Sequence, residues 1–473
     1  MKKNIQKSSI LTTPAKLSGV SVCNFSTPHN KSFVRSDGIR ILDQNGNPFG
    51  LMGTNLGGWL VQEQWLCPTA TGKEIADLDI YLTLYNRFGA EKAEALLDAH
   101  QDNWVTEQDF AHIKDLGFNC VRIPFSYMNF MNPLIYDEAS SSWVVNDYKN
   151  LSLKDNPFAR LDWAMEMCKK YELYAILDMH GAVGSQSGQD HSGDISEKLG
   201  RLWRKDNIGK ICRQKTKELW VAIAERYKDN PWVAMYDLLN EPGVASINKK
   251  GEKSQKTNKQ VWNYYDELVK AVRKVDPYHL ISVESCWEAK DLPKPSRYGW
   301  TNVIYQYHHY NWAKTNTLNS SFYTSKVKSI DISTKRDYPV LVGEFNVWAD
   351  SNHEKTKYNK TSTQTEAEAW SGVVELYAGK GWSFTTWNFK HASNNSTWGI
   401  YNFNEGATPH RQANIFIDSA EDISEIWASH NSKNYQENTF LTSCIKPYFD
   451  KFYIGEDVKP LDEKYYILNN LDN

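Results

Sequence analysis

The sequence predicts a (β/α)8 TIM barrel, and three observations predict it. Eight short apolar runs recur between residues 51 and 388, stretches of helical periodicity lie among them, and the long connections follow the runs rather than lead into them. Alternating strands and helices give parallel strands, and eight parallel strands close into a barrel whose functional loops leave the carboxyl ends.

The elements follow in order. Residues 1–30 are polar and aperiodic and predict a flexible arm, with 31–473 forming a single domain. Two short apolar stretches flank Asn45-Gly46, a hairpin signal suited to closing the bottom of the barrel. The strand candidates are 51–55, 119–124, 174–179, 234–239, 280–284, 303–307, 340–344 and 382–388. Phe110, Ile113 and Leu116 mark a helix opened by Thr106-x-x-Asp109 and stopped at Gly117. Further helical faces are Leu161, Ala164, Met165 and Cys168; Leu219, Ile223 and Tyr227; Trp262, Tyr265, Leu268, Val269 and Val272; and Trp370, Val373, Val374 and Tyr377. Leu441 to Tyr453 predicts a last helix. The connections 56–105, 125–159, 181–215, 242–260 and 389–441 are long and fall on the functional face.

Composition narrows the function classes. The 41% apolar and 13% aromatic content, with 18 Trp, supplies a large core, and Trp is also the residue whose face suits a sugar ring. A net charge of −3 leaves no basic footprint for nucleic acid. No run is long enough to span a membrane, and the polar start has no signal-peptide core, so the expected location is cytoplasmic, or secreted if the chain is a processed form. Seven scattered Cys without CxxC pairs read as reduced thiols rather than disulfides or a zinc site.

Polar residues gather at the carboxyl ends of the predicted strands: Arg122, His180, Asn240 and Glu241, His308 and Tyr310, Glu344, and Trp387. Two carboxylates at the ends of buried strands are costly unless they do chemistry, and paired carboxylates are the working parts of glycosidases. Val-Arg122-Ile-Pro, Asp-Met-His180-Gly, Asn240-Glu241-Pro242, His308-His309-Tyr310, Gly-Glu344-Phe and Thr-Trp387-Asn resemble, strand by strand, the family 5 glycoside hydrolases over residues 33–400. The stretches Asn55 to Glu63 and His180 to Asp190 resemble the exo-β-1,3-glucanase branch of that family.

The resemblance implies roles. Glu241 would be the general acid and base, and Glu344 the nucleophile, the pair roughly 5–5.5 Å apart in a retaining enzyme. Arg122 and Tyr310 would touch Glu344 and keep it ionised, while Glu241 holds the proton. Asn240 would hold the 2-hydroxyl, Trp387 would floor the −1 subsite, Glu63 would bind hydroxyls of the terminal sugar, and His180 and His308 would bind hydroxyls or orient carboxylates. Gln189 departs from the branch, which carries a clamping aromatic there, and Trp312 or Trp348 could replace the lost surface; Glu284 and Trp287 also reach the rim.

Two rivals are a metal-dependent hydrolase built on Asp178, His180, His308, His309 and Glu344, and a carbohydrate-binding protein without catalysis. Alternation separates His308 from His309, and both glutamates are present, so the reading is a retaining β-glycosidase without metal or cofactor. Its expected substrates are β-1,3-glucans or their oligosaccharides, with glucose released from an end. The runners-up are a β-glucosidase acting on glycolipid or other aglycone glucosides, an endo-acting β-glucanase, and a transglycosylase.

Overall fold

The computed structural model describes residues 33–445 apart from 198–199, 243–254, 286–287, 312–319, 335–337, 348–359, 395 and 410. Eight parallel strands close a barrel: β1 (Met52–Asn55), β2 (Cys120–Ser126), β3 (Tyr174–Gly181), β4 (Val233–Asp237), β5 (Leu280–Glu284), β6 (Val303–His309), β7 (Val340–Phe345) and β8 (Ser383–Thr386). Each predicted run contributes one strand. They are buried throughout almost their whole length, which is why they read as continuous apolar runs rather than alternating ones.

Helices α1 (Asp77–Phe88) and α2 (Ala90–Trp104) fill the long connection after β1. Then come α3 (Glu107–Asp115), α4 (Ala159–Tyr171), α5 (Asn207–Tyr227), α6 (Gln255–Val275), α7 (Ser320–Thr334) and α8 (Lys360–Gly379). At the start of α3 the Thr106 N–H donates to the Asp109 carboxylate over 2.7 Å, as its capping pattern predicts. Helix α7 is not among the predicted helical faces, although Tyr323, Val327 and Ile330 form its buried stripe. Among the described residues, β5 and β6 are joined by two 3-10 turns and no α-helix.

The predicted hairpin is present and sits where expected. Arg40–Leu42 pairs with Pro48–Phe49 and with a further strand, Arg35–Asp37. Val34 and Ile41 pack with Leu51, Cys120, Ile176, Met235, Leu280, Ile304 and Leu341, residues at or near the amino ends of the barrel strands, so this sheet plugs the bottom. On the opposite rim the chain after β8 forms a small sheet, Lys390–His391, Tyr401–Phe403 and Tyr435–Glu437, and a helix α9 (Ala420–Ser429). Residues 439–445 begin the predicted last helix; its remainder and the 1–30 arm lie outside the described residues. No described helix is long and apolar enough to cross a membrane. The described cysteines 67, 120, 168, 212 and 444 are buried free thiols.

Candidate active site

The carboxyl end of β7 departs from regular pairing in a way that aims Glu344. Tyr307 pairs with Val342, but His308 pairs with Glu344, so Gly343 is an extra residue that bulges the strand. A Cβ on Gly343 would collide with the Gln306 side chain, so a larger residue there would displace a group that is bonded to Glu284. At the end of β4 the chain leaves the strand through Asn240, whose N–H donates to Met179 O (3.1 Å), and Glu241, with a φ of +41°. That left-handed turn brings the second carboxylate to the same rim.

Arg122 lies beneath both. Its guanidinium, fully buried, donates to Asp237 (2.9 Å), Glu344 Oε1 (2.8 Å), Asn240 Oδ1 (2.8 Å) and Asn55 Oδ1 (3.0 Å), and approaches Asp178 at 3.1 Å. Burial works against its charge, but the carboxylates of Asp178, Asp237 and Glu344 outweigh it and hold the group protonated. Such a charge is tolerable in the interior only because every face of the fork is met. Tyr310 donates its hydroxyl to the other oxygen of Glu344 (2.8 Å). Each oxygen of Glu344 therefore has one donor.

His308 Nδ1 stands 2.8 Å from Glu241 Oε1 and 3.4 Å from Glu344 Oε2, so these two carboxylate oxygens lie within about 6 Å of each other. Burial opposes a charge on His308, yet Glu284, Glu344 and Glu241 raise its pKa to about 9. Burial likewise raises Glu241, but the His308 hydrogen bond and the nearby imidazoles draw it down to about 2. In direction, the two shifts favour a Glu241 carboxylate paired with a protonated His308 imidazole when no sugar is bound. His180 is neutral, its pKa lowered to about 3 by burial, and it bonds Asp178 through Nδ1 at 2.6 Å. Burial lifts Asp178 to about 7, with Arg122 opposing and Glu344 assisting.

Glu63, Trp387 and the rest complete the wall. Trp387 lies parallel to His180, with ring centres 5.4 Å apart and planes within 7°. Gly57 packs against Trp387 and Asn388 with no room for a side chain, its N–H bonded to Asn388 Oδ1 over 2.9 Å. Glu63 is buried rather than solvated; one oxygen accepts the Trp65 indole N–H (2.8 Å), and burial with the Asp190 charge lifts its pKa well above the usual range. Trp65 in turn packs edge-on against Trp398 at 5.0 Å. Eight predicted site residues, Glu63, His180, Asn240, Glu241, His308, Tyr310, Glu344 and Trp387, line one cavity of about 690 Å³, and the ninth, Arg122, lies under it.

Other residues reach this cavity without having been predicted as site residues. His191 Nε2 is 3.5 Å from Glu241 Oε2, and Glu288, Phe322 and Lys326 line the outer part beside Gln189. The position of His191 one residue past the matched stretch was the available signal; Phe322 and Lys326 ride on α7 and had none. Glu284 lies at the floor, where its Oε2 accepts the Glu241 backbone N–H over 2.8 Å. Trp287, Trp312 and Trp348 lie outside the described residues.

The metal set considered from sequence does not converge: Asp178 is taken by Arg122 and His180, and His309 turns outward to the Tyr377 hydroxyl at 2.8 Å. A different trio, Glu241, Glu284 and His308, brings one ligand atom each within 4.8 Å and is the grouping among the described residues that could hold a cation.

The family model described as cellulase (glycosyl hydrolase family 5) matches residues 86–393. The chain belongs to glycosyl hydrolase family 5. The chain is 30% identical over 288 residues to a beta-xylosidase of Phanerodontia chrysosporium, covering 59% of this chain and 52% of that protein. It is 28% identical over 312 residues to a probable glucan 1,3-beta-glucosidase A of Neosartorya fischeri, covering 65% of this chain and 66% of the relative. The chain thus spans between half and two thirds of these relatives. Among solved structures, rutinosidase from Aspergillus niger aligns with a TM-score of 0.53 at 17% identity, covering 80% of this chain and 98% of that one. An endogalactoceramidase aligns with a TM-score of 0.53 at 16% identity, covering 84% of each chain. Both likenesses concern the fold.

Proposed function

We propose that this family 5 enzyme is a retaining β-glycosidase that works by double displacement, with Glu344 as nucleophile and Glu241 as acid and base, and that it releases glucose from β-1,3-linked glucans or their oligosaccharides. The observation that carries the mechanism is the approach of the two carboxylates, within about 6 Å and joined by one imidazole. A retaining pair needs roughly 5–5.5 Å, whereas an inverting pair needs roughly 6.5–9.5 Å to admit a water between acid and base.

In the first step Glu344 attacks the anomeric carbon while Glu241 protonates the departing oxygen. The charge of Glu344 disappears into the ester, the oxocarbenium character is stabilised by groups around the ring, and Asn240, whose carbonyl already accepts from Arg122, would donate its amide to the 2-hydroxyl. In the second step Glu241 takes a proton from water, which displaces Glu344. Trp387 under the ring and Glu63 at its far side would hold the terminal sugar.

The names of the glucan 1,3-beta-glucosidase relatives support the substrate class. A second reading, hydrolysis of glucosides whose aglycone is not a sugar, is favoured by the outer cavity, where Gln189 stands in place of an aromatic clamp and Phe322, Lys326 and Glu288 form a mixed apolar and charged wall. Incubation with β-1,3, β-1,4 and β-1,6 gluco-oligosaccharides and aryl glucosides, with proton NMR of the first product, tests all parts. Glucose released first as the β-anomer from β-1,3 substrates is expected; release of the α-anomer would refute the mechanism, and hydrolysis of aryl glucosides alone would select the second reading.

A further inference from the structure

We infer that Gln186 is a positioning residue for Glu241: it fixes the peptide bond that carries the acid and base, and so keeps that carboxylate aimed at the glycosidic oxygen. The inference rests on the reading of Glu241 as acid and base.

Regular pairing between β3 and β4 ends at Asp178 and Asp237, before either chain reaches its functional residue. Asn240 and Glu241 lie beyond that ladder, and their backbone groups need other partners. Three successive carbonyls find them in side chains. Leu238 O accepts the Trp220 indole N–H (2.9 Å), Leu239 O accepts the Tyr265 hydroxyl (3.4 Å), and Asn240 O accepts Gln186 Nε2 (2.8 Å). The same Gln186 nitrogen also donates to His180 O at 2.6 Å, and the Gln186 Oε1 accepts the Ala182 N–H over 3.0 Å. Gln186 thus bridges the ends of β3 and β4 beyond their last paired residues. Its own backbone is anchored, because its carbonyl accepts the Trp203 indole N–H at 2.7 Å. The side chain is fully buried and spends both amide hydrogens on backbone, so its contribution to the reaction passes through Glu241 rather than the sugar.

The peptide unit joining Asn240 to Glu241 is held at both ends. Its carbonyl accepts from Gln186, and its N–H donates to Glu284 Oε2 over 2.8 Å. Turning this plane changes the φ of Glu241, which stands at +41°, in the left-handed region where a side chain crowds the backbone. Such a conformation persists only where its surroundings over-determine it, and the two hydrogen bonds on this peptide do so. With the Gln186 bond gone, the plane is free to turn and φ to relax, and the carboxylate moves away from the His308 Nδ1 that it now meets at 2.8 Å. Glu344 is held separately, by Arg122 and Tyr310, and the Asn240 side chain keeps its bond from Arg122. The loss therefore falls on one carboxylate of the pair.

The test is Gln186→Met, which keeps the volume and removes the hydrogen bonds. Double displacement separates the consequences, since Glu241 is needed for a poor leaving group in the first step and for water in the second. A misplacement of about 1 Å costs up to about 100-fold, so kcat/KM for an alkyl glycoside or oligosaccharide should fall about 30- to 100-fold. With a dinitrophenyl glycoside, whose leaving group departs without a proton, kcat/KM should stay within about threefold. Its kcat should fall through the slow second step, and azide, which attacks the glycosyl-enzyme without a base, should restore it and yield the β-glycosyl azide. Equal losses on both substrates, no recovery with azide, or unchanged hydrolysis of the alkyl glycoside would overturn the proposal and leave Gln186 a support of the fold alone. Should Gln186→Met not fold, Gln186→Glu, whose buried carboxyl keeps the acceptor and donates one hydrogen bond instead of two, is read in the same way. Glu241→Gln is the control. If it lacks the split between the two substrates and the response to azide, the reading of Glu241 as acid and base fails; if it shows both and Gln186→Met does not, only the positioning role fails.

Discussion

Replacing Tyr310 with Phe removes one hydroxyl from the site and leaves the ring, which packs 5.8 Å from Trp398, in place. The lost contact is the 2.8 Å hydrogen bond onto Glu344 Oε2, while Arg122 still holds Oε1. A hydrogen bond to a charged acceptor contributes about 1.5–3 kcal/mol, which is roughly 10- to 150-fold in rate if fully expressed in one step. It is not expressed equally in both. Glu344 loses its charge as the ester forms, so the contact weakens in the first step and its removal costs little there. In the second step the charge returns, and the missing donor raises that barrier. Stopped-flow hydrolysis of a dinitrophenyl glycoside should therefore show a burst of one product equivalent, with kcat reduced about 10- to 100-fold and kcat/KM within a few-fold of the parent. Equal losses in kcat and kcat/KM without a burst would refute the assignment of Glu344 as the residue that is esterified.

Asn240→Ala should lower kcat by about 2 kcal/mol, or roughly 30-fold, with KM little changed, because its amide contact with the 2-hydroxyl strengthens only as the transition state forms; a pure KM effect would contradict this. Lys390→Met should destabilise the protein by about 3 kcal/mol in urea denaturation, since it leaves the buried Asp109 carboxylate, which Lys390 meets at 2.9 Å, without its cation and with only the Thr106 and Ser432 donors; a change below about 1 kcal/mol would show that the pair contributes nothing net. His308→Gln tests the sign of the ion pair. Because the His308 pKa is raised to about 9, its stabilisation is complete below about 6.5 and fades as pH climbs through 9; because that of Glu241 is lowered to about 2, the same pair is also lost as pH falls from about 4.5 toward 2. The melting-temperature gap between parent and variant should peak between pH 4.5 and 6.5 and close at both extremes, and a gap that is flat with pH would contradict the pairing.

The barrel was legible because its strands are buried on both sides. Continuous apolar runs such as Val340 to Val342 end in polar residues where the rim begins, so the strand ends announce themselves. Glu344 and His180 were readable for that reason, whereas Arg122, the third residue of β2, was readable as a charge inside an apolar run. His308 and His309 could even be told apart, since neighbouring strand residues face opposite ways, and His309 does turn to Tyr377. Phe322 and Lys326 were not readable, because they depend on where α7 settles against the rim. Glu63 looked like a loop carboxylate and is buried, because a long loop with helices of its own, α1 and α2, folds it inward.

The location of the proton was beyond sequence for a deeper reason. Motifs give each carboxylate a role by its neighbours on one strand, but the charge state of Glu241 is set by its burial and by imidazoles from elsewhere: His308 on β6, His191 in the loop after β3 and His180 on β3. The bulge at Gly343 brings Glu344 beside His308, and the left-handed turn at Glu241 presents its backbone N–H to Glu284. Both are departures from regular strand geometry at positions that residue spacing treats as ordinary. An acid whose proton rests on a neighbouring imidazole is still an acid once a glycosidic oxygen arrives. Transfer to that oxygen draws on the whole His308 pair, so the upper limit of activity in pH should follow the imidazole at about 9 rather than a carboxyl.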